Sequence, residues 1–272
     1  MDKDLFETFL DHRKYLKKAG VTMEYVRDDN SPYLFINNPI IISAFAGFVK
    51  NQYRTASIYF RGEAGNYQHV VPSLFRSGGM PLKDDAVIHQ RFKAYTELKK
   101  IIRQRLQDKV SRFKNEDVDN LFQHYGIKSP VIDMVDNIYI AIWFAMDGNK
   151  DKYGYIRLLN TSNKELKVSD LRQNHSSLSL RLHTQHGLIA KKKVRTWNAN
   201  NICYDPYEVA RIKFPISRKI ESGILFSREN IYPSEQLDNT FKILKNEVWL
   251  HTEISRLITK YQLSEGDLGS IQ

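Results

Sequence analysis

One cysteine, Cys203, stands in a chain of 272 residues. No disulfide framework can form from it and a cysteine-rich zinc site is excluded, so a reducing compartment is expected. Long apolar runs are absent too: none approaches the ~20 residues needed to span a bilayer. The opening Met1-Asp2-Lys3-Asp4 is charged where a secretory leader would be apolar. The expectation is a soluble, cytoplasmic protein with no membrane partner. The chain also lacks a Gly-x-Ser-x-Gly elbow, a His-Glu-x-x-His pair, and a glycine-rich phosphate loop ending in Gly-Lys-Ser/Thr. His183 and His186 are three apart but have no nearby carboxylate, so they read as surface or site-lining residues and no metal is expected.

Acidic charge is in short supply. There are 41 Lys plus Arg against 31 Asp plus Glu, a formal net charge of +10. Nine cations from Arg91 to Lys114 face only Glu97 and Asp108. Phe92, Tyr95, Leu98, Ile102 and Leu106 recur there at three- or four-residue steps, which predicts an amphipathic helix with a basic outer face. A second cluster interleaves Lys191, Lys192, Lys193 and Arg195 with Trp197. Lysines neutralise phosphates and an indole can stack on a base, a combination that suits single-stranded nucleic acid.

Punctuation by Gly and Pro gives the order of elements. Helices are expected over 4–18, 84–110, 116–125, 137–147, 218–222 and 235–252, and strands over 57–61, 153–159, 187–193 and 207–214, with Arg157, Arg211 and Lys213 on polar faces. Residues 33–46 read as loop or short strand leading into a helix. This predicts an α+β fold with a mixed or antiparallel sheet and surrounding helices. Three regions follow: a helical N-terminal extension over 1–50, packed on a main domain over 51–262, and a mobile tail over 263–272.

The richest stretch is Tyr59-Phe60-Arg61-Gly62, then Val71-Pro72-Ser73-Leu74-Phe75-Arg76. A strand ends on an arginine, whose planar fork of donors matches phosphate or carboxylate, and the glycine after it would let a ligand come close. Further on come Gln123-His124-Tyr125-Gly126, Ser129, Asp133 and Ala141-Ile142-Trp143-Phe144-Ala145, then Arg181-Leu182-His183-Thr184-Gln185-His186-Gly187 and Glu221-Ser222-Gly223-Ile224. In this order the segments resemble the FRG domain family over about residues 55 to 240. The chain departs from the family pattern at Ser129-Pro130 and at Ile132-Asp133-Met134-Val135, where the family has Thr-Arg and Leu-Asp-Trp-Thr.

That family is distantly similar to ADP-ribosyltransferases, and the resemblance implies a split sheet of their kind with NAD as cofactor. It implies that Arg61, Gly62, Ser73, Arg76, His124, Ser129 and Phe144 bind NAD, while Tyr125, Asp133 and Gln185 act in catalysis. Gln185 can accept a hydrogen bond but cannot serve as a base, so Glu63, Glu208 and Asp133 stand as alternative carboxylates. Asp133 can equally cap the following helix, and His124-Tyr125 can equally close a helix stopped by Gly126. With Lys191, Lys192, Lys193, Arg195 and Trp197 as a nucleic-acid surface, the expected function is ADP-ribosylation of RNA by a bacterial toxin in phage defence, restrained by a cognate antitoxin. A protein-directed transferase and a non-catalytic binding module are the alternatives.

Overall fold

The computed structural model describes all residues except 1–2, 12, 14–19, 28–31, 107–116, 175–178, 218–219, 221–225 and 272. Its elements run α1 (Lys3–Asp11), β1 (Met23–Val26), β2 (Tyr33–Ile36), α2 (Pro39–Gln52), β3 (Ile58–Glu63), β4 (Arg76–Ser77), β5 (Met80–Pro81), α3 (Asp85–Leu106), α4 (Asp117–His124), β6 (Ile132–Val135) and α5 (Ile138–Met146). They continue as β7 (Tyr153–Asn160), β8 (Leu166–Asp170), α6 (Leu171–Asn174), α7 (Leu180–Thr184), β9 (Gly187–Lys192), β10 (Glu208–Pro215), α8 (Arg228–Ile231), α9 (Asn239–Asn246) and α10 (Val248–Lys260). The class is α+β with a mixed sheet. No helix among the described residues is long and apolar enough to cross a membrane. The expected helix at 218–222, the Glu221–Ile224 turn and the stretch past Leu106 fall largely or wholly outside the described residues.

The chain divides into two compact units, each assembled from three separate stretches. The first comprises residues 1–68, 134–166 and 205–228. Its strands lie in the order β1-β2-β10-β7-β3. Only the β2–β10 pair is parallel, with Ile212 opposite Leu34; β1–β2, β10–β7 and β7–β3 are antiparallel. The N-terminal stretch therefore contains two strands as well as helices, because Tyr33–Ile36 alternates half-buried and buried residues at the two-residue period of a sheet. Asn38 then starts α2, accepting hydrogen bonds from the amides of Ile40 (3.0 Å) and Ile41 (3.4 Å), with Pro39 in the first turn. Phe45 of α2 stacks with Phe6 and meets Phe9 edge-on, closing one end of this core.

The first unit also overturns an expectation about its strands. Arg211, Arg157 and Arg61 stand in one row across β10, β7 and β3, and Arg157 and Arg211 are only 1% and 3% exposed. Three like charges in a row would repel. Glu63 and Glu208 resolve this: Arg157 donates through Nε to Glu63 Oε2 (2.6 Å) and through Nη1 to Glu208 Oε2 (2.5 Å). Arg61 Nε donates to Glu63 Oε1 (3.0 Å) and Arg211 Nε to Glu208 Oε1 (2.8 Å). Burial alone would lower the Arg157 pKa, but the two carboxylates outweigh it and raise the pKa above the ordinary arginine value. Arg157 and Arg211 are thus buried ion-pair members and not outward-facing polar residues.

The second unit comprises residues 69–133, 167–204 and 229–272. Its core gathers on α3, whose Tyr95, Leu98, Ile102 and Leu106 are buried as the spacing predicts. Around them pack Phe75, Phe122, Leu182, Trp197, Leu250, Leu257 and Leu268. Arg91, expected on the basic outer face, is buried instead: it donates to the carbonyls of Leu74 (3.3 Å) and Arg76 (3.0 Å) and pairs with Asp267. The helix expected over 235–252 breaks at Glu247 into α9 and α10. Residues 263–271 are anchored to the unit and are not the expected mobile tail. Leu268 is fully buried, its carbonyl accepts from the Lys128 amide (2.9 Å), and Gly269 bridges Ile127.

Candidate active site in the second unit

Two sequence segments about sixty residues apart meet around His124. Helix α4 ends there because Gly126 takes a left-handed backbone (φ 94°) that stops it. Gln185 caps α7, and Gly187 begins β9. A Cβ on Gly187 would lie 3.1 Å from His124 Cε1 and 3.0 Å from Leu171 Cδ1, so the glycine makes room for the imidazole.

The histidine is fixed by hydrogen bonds that define its tautomer. Gln185 Nε2 donates to the Ile231 carbonyl (3.1 Å), which turns its Oε1 toward His124 Nδ1 at 2.7 Å. Nδ1 must then carry the proton, and the neutral ring presents a lone pair at Nε2. The side chain is 6% exposed, and Nε2 has no hydrogen-bond partner among the described residues. Asp133 Oδ1 lies 3.8 Å from it, too far for a hydrogen bond.

A second chain of bonds holds Asp133. Gln123 Nε2 donates to Asp133 Oδ2 (2.6 Å), and Gln123 Oε1 accepts from Ser73 Oγ (2.9 Å) and Ser129 Oγ (2.6 Å). Ser73 Oγ also accepts from the Ser129 amide (3.1 Å). Asp133 does not cap α5; Asn137 does, accepting from the Tyr139 amide. Below His124, Arg181 donates to the His124 carbonyl (3.4 Å), and its guanidinium sits 3.8 Å from the centre of the Phe241 ring. Asp238 accepts from both Tyr125 Oη (2.8 Å) and the Arg181 amide (3.0 Å).

Several expected roles change. Tyr125 is completely buried, and burial together with the Asp238 carboxylate drives its pKa far up, so it is a protonated structural residue and not a catalytic one. Gln185 is not the third catalytic group near a ribose but the residue that sets the His124 tautomer. Gly62 serves packing: a Cβ there would stand 2.0 Å from the Ala141 carbonyl oxygen and 2.9 Å from the Ala145 amide, so its smallness admits α5 and not a ligand. Phe144 is half-buried on α5 and meets Trp143 edge-on. Arg61, Gly62 and Phe144 belong to the first unit; Ser73, Arg76, His124, Ser129, Asp133 and Gln185 belong to the second.

The expected nucleic-acid cluster is largely occupied. Trp197 is 2% exposed and packs against Phe75 with ring centres 4.8 Å apart, so it cannot stack on a base. Lys191 donates to Asp119 (2.7 Å), and Lys192 donates to the carbonyls of Asn201 (2.9 Å) and Cys203 (2.5 Å). Lys193 and Arg195 are exposed. Sequence reasoning gave Gln123, Asp238 and Gly187 no role. The one local signal was Asp238, which stands before a helical run and accepts from the Phe241 amide as a cap.

Residues 56–154 match the family model of the FRG domain. This stretch is an FRG domain. It contains Arg61, Ser73, Gln123, His124, Ser129 and Asp133, whereas Gln185 and Gly187 lie beyond the matched FRG residues. Neither the curated proteins nor the solved structures gave a match.

Proposed function

We propose that the protein is an NAD-dependent ADP-ribosyltransferase that modifies nucleic acid, with single-stranded RNA as the target and His124 as the group that takes the proton of the attacking nucleophile. The observation that carries this is the buried His124 ring, fixed through Nδ1 and offering a lone pair at Nε2 with no hydrogen-bond partner among the described residues. A buried polar atom without a partner is costly unless a ligand satisfies it. An acceptor of this kind suits an N–H or O–H nucleophile.

NAD supplies the ADP-ribosyl group, with nicotinamide as the leaving group. The nucleophile must lose a proton as it bonds to the ribose carbon, and His124 Nε2 accepts it. The Asp133 carboxylate, 3.8 Å away, stabilises the imidazolium that results. Gln185, unable to act as a base, keeps the accepting nitrogen facing the nucleophile. Ser73, Ser129 and Gln123 hold Asp133 in place, and the pyrophosphate is assigned to the half-buried Arg76 of the same unit. The similarity of the FRG domain to ADP-ribosyltransferases and the mixed sheet support the choice of chemistry, and an ADP-ribosyltransferase-like split sheet belongs to the same proposal. The net charge of +10 supports a polyanionic target. An RNA-modifying transferase would harm the cell that makes it, so the proposal extends to a toxin of phage defence held by an antitoxin.

A non-catalytic nucleotide-binding module is the second possibility, favoured by the commitment of Arg61 Nε to Glu63. Incubation with NAD labelled in its adenylate half, with total RNA in one tube and total protein in another, separates the cases. Label on RNA with nicotinamide release, both lost in His124→Ala, is the expected result. Label on protein would redirect the target, and neither label nor nicotinamide in either tube would leave the binding module.

A further inference from the structure

A groove of about 840 Å³ runs between α3 and α10 in the second unit, away from every residue assigned above. From α3 it is lined by Phe92, Lys93, Glu97, Lys100 and Arg105, and from α10 by Glu253 and Arg256, with Tyr261 just beyond. Lys93, Glu97, Lys100 and Gln104 follow one another at three- or four-residue steps, so a single face of α3 presents them.

The carboxylates in this groove are already engaged. Glu97 accepts from Arg256 Nη2 (3.0 Å), Lys260 Nζ (2.6 Å) and Tyr261 Oη (2.8 Å), and these bonds hold its carboxyl down at about 2. Glu253 accepts from Arg256 Nε (2.6 Å) and Arg105 Nη2 (3.5 Å), while the Arg105 guanidinium lies 4.8 Å from the centre of the Trp249 ring. Lys93 and Lys100 are exposed and have no carboxylate partner among the described residues. Lys93, Lys100, Arg105, Arg256 and Lys260 make five cations against the two carboxylates, a surplus of three. From Lys93 to Arg105 the track extends about 18 Å along the helix axis, long enough for several successive phosphates. Phe92 and Tyr261 are half-buried in its walls, where ring surface is offered beside the cations.

We infer that the α3–α10 groove is a binding track for single-stranded nucleic acid, taking the place of the Lys191–Trp197 segment that the sequence suggested. The choice of polymer rests on the proposed function. Binding is measured with no NAD present, so a failure of the transferase chemistry leaves the test intact.

The probe is a fluorescent 12-nucleotide single-stranded oligoribonucleotide, titrated with the full chain across a salt series. Each phosphate contact on a single strand contributes about 0.7 to the slope of log K against log salt, so Lys93→Ala/Lys100→Ala should flatten the slope by about 1.4. Extrapolated from 1 M, that is a loss of about 25-fold in affinity at 0.1 M salt. Both lysines are exposed, so the melting temperature should stay within about 2 °C. Lys193→Ala/Arg195→Ala serves as the control and should change affinity less than 3-fold. An unchanged slope and affinity in the groove variant would overturn the assignment. So would displacement of the oligonucleotide by polyglutamate at equal charge concentration, which would make the groove a docking surface for acidic protein.

Discussion

Replacing Gly62 by alanine separates packing from ligand approach at the arginine-glycine pair. The added methyl would sit 2.0 Å from the Ala141 carbonyl oxygen, against the helix backbone, where no side-chain rotation can relieve it. An ordinary carbon–oxygen contact needs α5 to withdraw by roughly 1.3 Å. A gap of 0.5–1 Å already forfeits a quarter to a half of each dispersion contact. Helix α5 buries Ile138, Ile140, Ala141, Ile142, Trp143 and Ala145, so the loss spreads over its whole inner face. Overpacking costs typically 1–3 kcal/mol, and with backbone as the obstacle the upper end applies, about 3 kcal/mol. For a chain of this size that lowers the melting temperature by about 6–12 °C. Thermal unfolding followed by near-ultraviolet circular dichroism reads the shift directly. A Gly62→Ala protein that melts within 2 °C of the parent yet loses NAD binding would refute the packing account and restore a ligand-facing glycine.

Arg157→Met should destabilise the first unit by about 3–5 kcal/mol, because Glu63 and Glu208 lose their shared cation in a dry setting; chemical denaturation checks this, and a change below 1 kcal/mol would count against the network. Trp197→Ala should cost about 3–5 kcal/mol while the folded protein keeps its affinity for RNA, the opposite of what a base-stacking indole would give. Burial pushes the Asp119 carboxyl up, but Lys191 and Lys99 outweigh it and leave its pKa below the usual 3.8. Its contribution is therefore present above that value and lost as pH falls through the depressed one, so acid unfolding should be steeper in the parent than in Asp119→Asn.

Periodicity exposed what depends on neighbours in sequence. The α3 stripe and strands β3, β7, β9 and β10 lie within about two residues of their expected bounds, since apolar spacing alone defines them. What it missed depends on distant partners. Arg157 and Arg211 alternate with apolar residues as solvent-facing arginines would; Arg157 is brought inside by Glu63 and Glu208, 94 and 51 residues away, and Arg211 follows because Glu208, three residues before it, is shared with Arg157. Trp197 follows a run of lysines, and nothing local says that Phe75 covers it. His124 and Gln185 were both singled out, but the division of labour between them follows from the Ile231 carbonyl, which no motif contains.

The last strand of the first unit is also one of its innermost. Strand β10 inserts between β2 and β7, so the N-terminal strands gain their sheet neighbour only when residue 215 has been made. At 5–20 residues per second, Glu63 leaves the ribosome roughly 7–30 s before Glu208. Until then β2, and β7 once residue 160 has been made, carry unpaired edges, which are templates for pairing with another nascent chain. The yield of this protein in cells should accordingly follow the supply of nascent-chain chaperones and translation speed more closely than its final stability, and a fragment ending at residue 160, which keeps β2 and β7 but lacks β10 altogether, should aggregate.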